Sequence, residues 1–128
     1  ARQWRVEEMA MHTILLVEDE DFIRQIFASA LGAFNIVEAS RGTEALELAR
    51  QQPPDLLVTD VRMPDMDGLD LTDKVRQLYP GLPTLVISGS LEVPPQTSAE
   101  FEFMRKPVRL SELVAKVKEL LGTESSNS

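Results

Sequence analysis

Ile14-Leu15-Leu16-Val17-Glu18-Asp19-Glu20-Asp21 is the stretch from which the rest of the chain is read. Four consecutive apolar residues leave no polar face. That is the pattern of a strand covered on both sides, as in parallel sheets packed between helix layers. Four acids follow without a break. A covered strand running into carboxylates puts charge at its carboxyl end, the edge where sheets of this kind bind ligands.

The alternation continues outward. Phe22, Ile23, Ile26, Phe27, Ala30 and Leu31 recur at three- and four-residue spacing and predict a helix over residues 22–31 with these side chains on one face. Residues 35–39 (NIVEA) read as a short second strand. Gly42 then opens a helix that buries Ala45, Leu46, Leu48 and Ala49 and is stopped by Pro53-Pro54. Leu56-Leu57-Val58-Thr59-Asp60 is the third strand. After a loop containing Pro and Gly, a helix over residues 69–78 presents Leu69, Thr72, Val75 and Leu78, and Pro80-Gly81 ends it. Thr84-Leu85-Val86-Ile87 is the fourth strand, ending at Ser88-Gly89, and residues 101–104 form the fifth, before Arg105-Lys106-Pro107. The last helix carries Leu110, Leu113, Val114, Val117, Leu120 and Leu121 on one stripe and ends at Gly122. Strands alternating with helices in this way imply an α/β fold: a doubly wound parallel sheet reached by right-handed crossovers.

A chain of 128 residues fits one domain with a real core. Without cysteine it has neither disulfides, thiolate metal sites nor a Cys nucleophile. No apolar run approaches the ~20 residues of a membrane span and no signal-peptide core precedes the first strand, so the expected location is the cytoplasm, without membrane contact. Thirteen basic against 21 acidic side chains give a net charge of −8, which argues against nucleic acid as a direct partner. Residues 1–12 read as a linker or tail, with Trp4 in a solvated linker favoured over Trp4 packed against the domain or a neighbour, residues 13–122 as the domain, and residues 123–128 as a disordered tail. A start at Ala1 fits a processed or excised chain. His12, the one histidine, precedes the first strand without a helical context and is treated as incidental.

The strand ends carry the chemistry. Glu18 and Asp19 follow strand one, Asp60 ends strand three, Ser88 ends strand four, and Lys106 follows strand five. Neighbouring strands lie ~5 Å apart, so Glu18, Asp19 and Asp60 converge if strands one and three are adjacent. At ~4 Å and an effective dielectric near 20, each ionised pair would cost about 4 kcal/mol. A divalent cation and a nearby ammonium are the simplest remedies, and carboxylate oxygens suit Mg²⁺, with Mn²⁺ able to substitute. The bland alternative is a run of solvated acids favouring a helix start; it accounts for Glu20 and Asp21 but poorly for Glu18, Asp19 and Asp60 together. For Lys106 the alternative is an edge charge that snorkels to solvent. An acid nucleophile, metal-binding acids, a hydroxyl and an ammonium together constitute a phosphoryl-transfer site.

The motifs Ile14-Leu15-Leu16-Val17-Glu18-Asp19, Asp60-Val61-Arg62-Met63-Pro64-Asp65-Met66-Asp67-Gly68, Ser88-Gly89 and Lys106-Pro107, in this order, resemble the receiver domains of bacterial response regulators and hybrid histidine kinases over residues 13–122. The resemblance implies a flavodoxin-like sheet of five parallel strands in the order 2-1-3-4-5. It implies Asp60 as phosphoacceptor, with Glu18, Asp19, Asp60 and the backbone carbonyl of Arg62 holding Mg²⁺. Ser88 and Lys106 would bind phosphoryl oxygens, Phe103 would stand at the aromatic switch position, and the Lys106-Pro107 peptide would be cis. The phosphodonor would be a histidine kinase or histidine phosphotransfer domain. Asp60 would take the phosphoryl group and the domain would switch conformation, a signalling phosphoacceptor that assists its own phosphorylation and dephosphorylation rather than an enzyme. For Phe103 an ordinary core aromatic is the competing reading.

Three departures from the pattern matter. Glu18 stands where an Asp is commoner, and Ser88 lacks the methyl of threonine. Between Ser88 and Lys106, Pro94-Pro95 and the lack of helical periodicity predict a short, displaced or disordered helix between strands four and five. A Mg²⁺-dependent phosphohydrolase fits less well, because the position two residues after the nucleophile is Arg62 rather than an acid. A flavodoxin-like cofactor carrier fails on charge, since Glu18 to Asp21 would repel a phosphate. A degenerate, binding-only receiver is disfavoured by the full set of acids, hydroxyl and lysine. A stand-alone regulator and one domain of a longer hybrid kinase both fit.

Overall fold

The computed structural model describes residues 3–89 and 101–122. Its elements run α1 (Val6–Ala10), β1 (Thr13–Val17), α2 (Asp21–Ala30), β2 (Asn35–Ala39), α3 (Gly42–Gln51), β3 (Leu56–Asp60), α4 (Gly68–Leu78), β4 (Thr84–Ser88), β5 (Glu102–Arg105) and α5 (Leu110–Gly122). The five strands are parallel and ordered β2-β1-β3-β4-β5: the doubly wound sheet that the alternation of elements predicts, in the flavodoxin-like order that the resemblance implies.

The apolar runs are explained by the alternation of side chains along each strand. Ile14 and Leu16 of β1, Leu56 and Val58 of β3, and Leu85 and Ile87 of β4 project into one cluster with Phe27 of α2 and Leu113, Val117 and Leu121 of α5. Leu15, Val17 and Leu57 project to the opposite face, against Ala45 and Ala49 of α3 and Leu71 and Val75 of α4. Both faces of β1, β3 and β4 are therefore covered and every residue of these strands is buried. Each large aliphatic side chain fully removed from water contributes roughly 1.5–3 kcal/mol. β2 and β5 flank the sheet and are only partly buried.

Several expectations change. Trp4 is not in solvent: its ring meets His12 edge-on at 5.2 Å and Phe34 at 5.9 Å, and it packs on the α2–α5 cluster. Residues read as linker form α1, whose Met9 is buried in that cluster. Trp4 before the helix and Met9 within it give the segment an apolar side to bury, which its polar composition hides. Phe22, expected on the buried stripe, is 74% exposed. It stands in the first turn of α2, one step off the stripe that buries Phe27, and borders a shallow hollow with Ile26 and Leu110. Leu78 and Leu110, at the ends of their helices, are likewise exposed. α2 begins and ends one residue earlier than predicted and β5 one later, shifts ordinary for element ends. The predicted irregular helix between β4 and β5 falls on residues 90–100, outside the described residues.

Candidate functional site

The sheet order puts β1, β3, β4 and β5 side by side, so their carboxyl ends form one edge. Glu18 continues β1 by one residue, its amide donating to the Ala39 carbonyl at 3.1 Å. Asp60 is the last residue of β3, opposite Ile87 of β4. Ser88 ends β4, and its carbonyl accepts from the Lys106 amide at 2.8 Å, which carries the fifth chain end past the sheet. The Lys106-Pro107 peptide is cis.

These positions bring the predicted groups together. Carboxylate oxygens of Glu18, Asp19 and Asp60 lie within 4.8 Å of one another. The Lys106 ammonium reaches across the end of β4 and donates to Glu18 Oε1 at 2.8 Å and to Asp60 Oδ2 at 3.0 Å. Glu18 is 2% and Asp60 7% exposed, so neither charge is well solvated. Asp19 is the more accessible of the three acids. Burial pushes the Glu18 carboxyl up to about 7, partly opposed by its hydrogen bond from Lys106 and reinforced by the neighbouring Asp60 charge. Burial works against the Lys106 ammonium, yet its bonds to Glu18 and Asp60 hold its pKa above the ordinary lysine value. Ser88 is buried at the end of β4 beside this cluster. Phe103 lies on β5 opposite Val86 and is partly buried, and Met104, its neighbour on the other face of the strand, packs on the α2–α5 cluster.

One ammonium set against three carboxylates leaves a negative excess in a poorly solvated place. A divalent cation fits such a donor set: hard oxygen ligands, few of them from protein, with one side open to water. The backbone amide of Arg62 also turns toward Asp60, 3.4 Å from its Oδ1, while the Arg62 side chain is exposed.

The strand ends rest on residues to which the sequence assigned no role of their own. Arg24 of α2 donates to the Glu18 carbonyl at 2.8 Å, to Asp21 at 2.7 Å and to Glu38 at 3.2 Å, tying the acidic turn to α2 and β2. Gly68 lies so close to the end of β3 that a Cβ there would stand 2.0 Å from the Asp60 carbonyl oxygen. Its amide donates to the Val61 carbonyl at 2.7 Å, folding the loop of residues 61–67 back on itself. Asp65, in that loop, accepts from the amides of Gly42 at 2.9 Å and Thr43 at 2.8 Å. Arg24, the single basic residue of α2 and three positions after the last of four consecutive acids, was a usable signal. Nothing in the sequence links Asp65 to Gly42.

Residues 14–118 match the response regulator receiver domain, and the chain belongs to that family. It is 36% identical over 115 residues to the probable transcriptional regulatory protein TcrX of Mycobacterium tuberculosis, with 85% of this chain and 49% of TcrX covered. It is 38% identical over 119 residues to the sensor kinase CckA of Brucella abortus, with 85% of this chain and 12% of CckA covered. The crystal structure of the receiver domain from the hybrid histidine kinase CckA is 36% identical, covers 85% of this chain and 98% of its own, and superposes with a TM-score of 0.75. The chain thus spans half or less of these two curated relatives. It is a receiver domain of two-component signalling, and among the described residues no helix is long and apolar enough to cross a membrane.

Proposed function

We propose that this domain accepts a phosphoryl group on Asp60 from a phosphohistidine of a histidine kinase or histidine phosphotransfer domain, in the cytoplasm, and relays it as a change of conformation. The observation that carries the reading is the Lys106 ammonium held between Asp60 and Glu18, with Asp19 beside them, at the sheet edge. A carboxylate that must attack a phosphoryl group needs to be deprotonated and placed, and the incoming charge needs partners already in position.

Each residue has a task in that reaction. An oxygen of Asp60 attacks phosphorus; the P–N bond to the donor imidazole breaks, and that nitrogen keeps the electron pair. Lys106 turns from the carboxylate pair to the oxygens of the transferred group, and the Ser88 hydroxyl donates to another. Glu18, Asp19, Asp60 and the Arg62 carbonyl would hold Mg²⁺, which when bound offsets the charge of both carboxylates and phosphoryl group. Mn²⁺ would serve in the same donor set. The arriving phosphoryl group adds nearly two negative charges, so the bond network at the ends of β4 and β5 must rearrange; Ser88 would move toward the phosphoryl group and Phe103 on β5 would turn inward in response. The domain is residues 13–122, to which α1 adds a packed N-terminal turn.

Incubation with acetyl phosphate and Mg²⁺ followed by intact-mass measurement tests the reading. One phosphoryl adduct, dependent on metal, labile in acid and base, and missing from Asp60→Asn, is the expected result. Equal labelling of both proteins would reject Asp60 as the acceptor.

A further inference from the structure

The loop of residues 61–67 carries the Arg62 backbone against Asp60, and something must fix its middle. Its ends are fixed: the Gly68 amide closes on the Val61 carbonyl, and Asp67 caps α4 by accepting from the Leu69 amide at 2.6 Å. Between them, Asp65 spans to a helix 22 and 23 residues earlier in the chain, taking the Gly42 amide on Oδ1 at 2.9 Å and the Thr43 amide on Oδ2 at 2.8 Å. The first amides of a helix have no partner within it and ordinarily take one from the preceding side chain. Here the preceding residue is Arg41, whose side chain makes no cap bond. The cap of α3 is thus supplied from the loop that borders the phosphoacceptor.

A second contact locks the same junction. Met66 lies directly over Gly42, where a Cβ would stand 2.3 Å from its Cγ and 2.6 Å from its Sδ. The lack of a side chain at Gly42 lets the loop sit against the helix end. The Asp65 carboxyl is held down at about 2, chiefly by the Thr43 amide and further by that of Gly42, so the clasp stays anionic across the physiological range.

We propose that Asp65 is a positioning residue for the phosphoacceptor site: by clasping the start of α3 it fixes the loop backbone that turns the Arg62 amide toward Asp60 and sets the Arg62 carbonyl as a metal ligand. The inference rests on the assignment of Asp60 and its donor set above. Asp65 itself touches neither metal nor phosphoryl group. Freed from the clasp, the loop retains its two ends and loses the placement of its middle. Misplacing one ligand by a fraction of an ångström is enough to weaken a small ion that demands regular octahedral geometry.

The test separates positioning from simple capping. Asp65→Ala loses both the cap and the clasp. Asp65→Ala combined with Arg41→Ser gives α3 a local N-cap again without restoring the clasp, because Arg41 already has the extended backbone of a cap residue, φ −156° and ψ 164°. Three readouts are compared at a temperature where all variants are folded: thermal midpoint, Mg²⁺ affinity by calorimetry, and hydrogen exchange of the Arg62 amide in metal-free protein by NMR. Asp65→Ala is expected to weaken Mg²⁺ binding about tenfold and to speed Arg62 exchange by a similar factor. Asp65→Asn, which keeps one acceptor oxygen, should fall between it and wild type. The double variant should recover its thermal midpoint but neither Mg²⁺ affinity nor slow exchange. Recovery of all three in the double variant, or Mg²⁺ affinity within about twofold of wild type in Asp65→Ala, would overturn the proposal and reduce Asp65 to a helix cap. Wild-type protein that neither binds Mg²⁺ nor is labelled on Asp60 would instead bring down the reading of the site on which it rests.

Discussion

Replacing Glu18 by Gln isolates the electrostatic strain of the site. Glu18 is 2% exposed, close to Asp60, and its carboxyl is raised from 4.5 to about 7, above all by burial. A group whose folded pKa lies above its unfolded pKa supports the fold as the protonated acid. That contribution is complete below the unfolded value and is lost as pH climbs through the folded one. With one pKa unit equal to 1.36 kcal/mol, metal-free wild type should lose about 3 kcal/mol between about pH 4.5 and pH 7.5 through this residue. Glutamine keeps the shape and cannot ionise, so Glu18→Gln should lack that loss. Urea unfolding followed by circular dichroism, with chelator present, gives both stabilities, and subtracting one from the other removes the titration of other groups. Added Mg²⁺ should abolish the wild-type loss, because a cation on the carboxylates favours their charged form. A wild-type-minus-variant difference that stays constant across this pH window would refute the reasoning.

Lys106→Ala leaves Glu18 and Asp60 facing each other without their ammonium; it should destabilise metal-free protein by roughly 3 kcal/mol near neutral pH and by less near pH 5, where Glu18 takes up a proton, as unfolding curves at the two pH values would show. Gly68→Ala forces a methyl into the space of the Asp60 carbonyl and should cost roughly 3 kcal/mol or more, with loss of acetyl phosphate labelling even in the fraction that folds. Trp4→Ala removes the ring that packs on His12 and Phe34 and should lower stability by about 2 kcal/mol in urea unfolding while leaving labelling of Asp60 unchanged, because α1 lies at the amino ends of the strands.

The fold was legible because its signals are local. Runs such as residues 14–17 and 56–58 cannot hide an apolar face, so they must be covered on both sides, and helical spacing between them supplied the covers. The candidate residues were legible for a related reason: in a parallel sheet every strand delivers its last residue to the same edge, so Glu18, Asp60, Ser88 and Lys106 could be grouped once the strands were recognised. Their order along that edge came from the resemblance to receivers, not from spacing, and the sheet of the structure agrees with it. Phe22 was misplaced because a period of 3.6 defines a stripe only to within one step, and the first turn of a helix can hang beyond the surface it covers. Trp4 was misplaced because a single aromatic in a polar segment gives no periodicity, and whether it is buried depends on Phe34 waiting at the other side of the contact.

By itself, then, the sequence determined which groups carry charge, which strands are covered, and which end of the sheet gathers the acids and the lysine, all properties of residues and their near neighbours. The tertiary structure alone decided that Lys106 bonds Glu18 and Asp60 together, 88 and 46 residues away, that burial lifts the Glu18 carboxyl to about 7, and that Asp65 closes on the start of α3. Distances between residues far apart in the chain and the dielectric around a carboxylate are set by packing, and packing is a property of the whole chain folded at once.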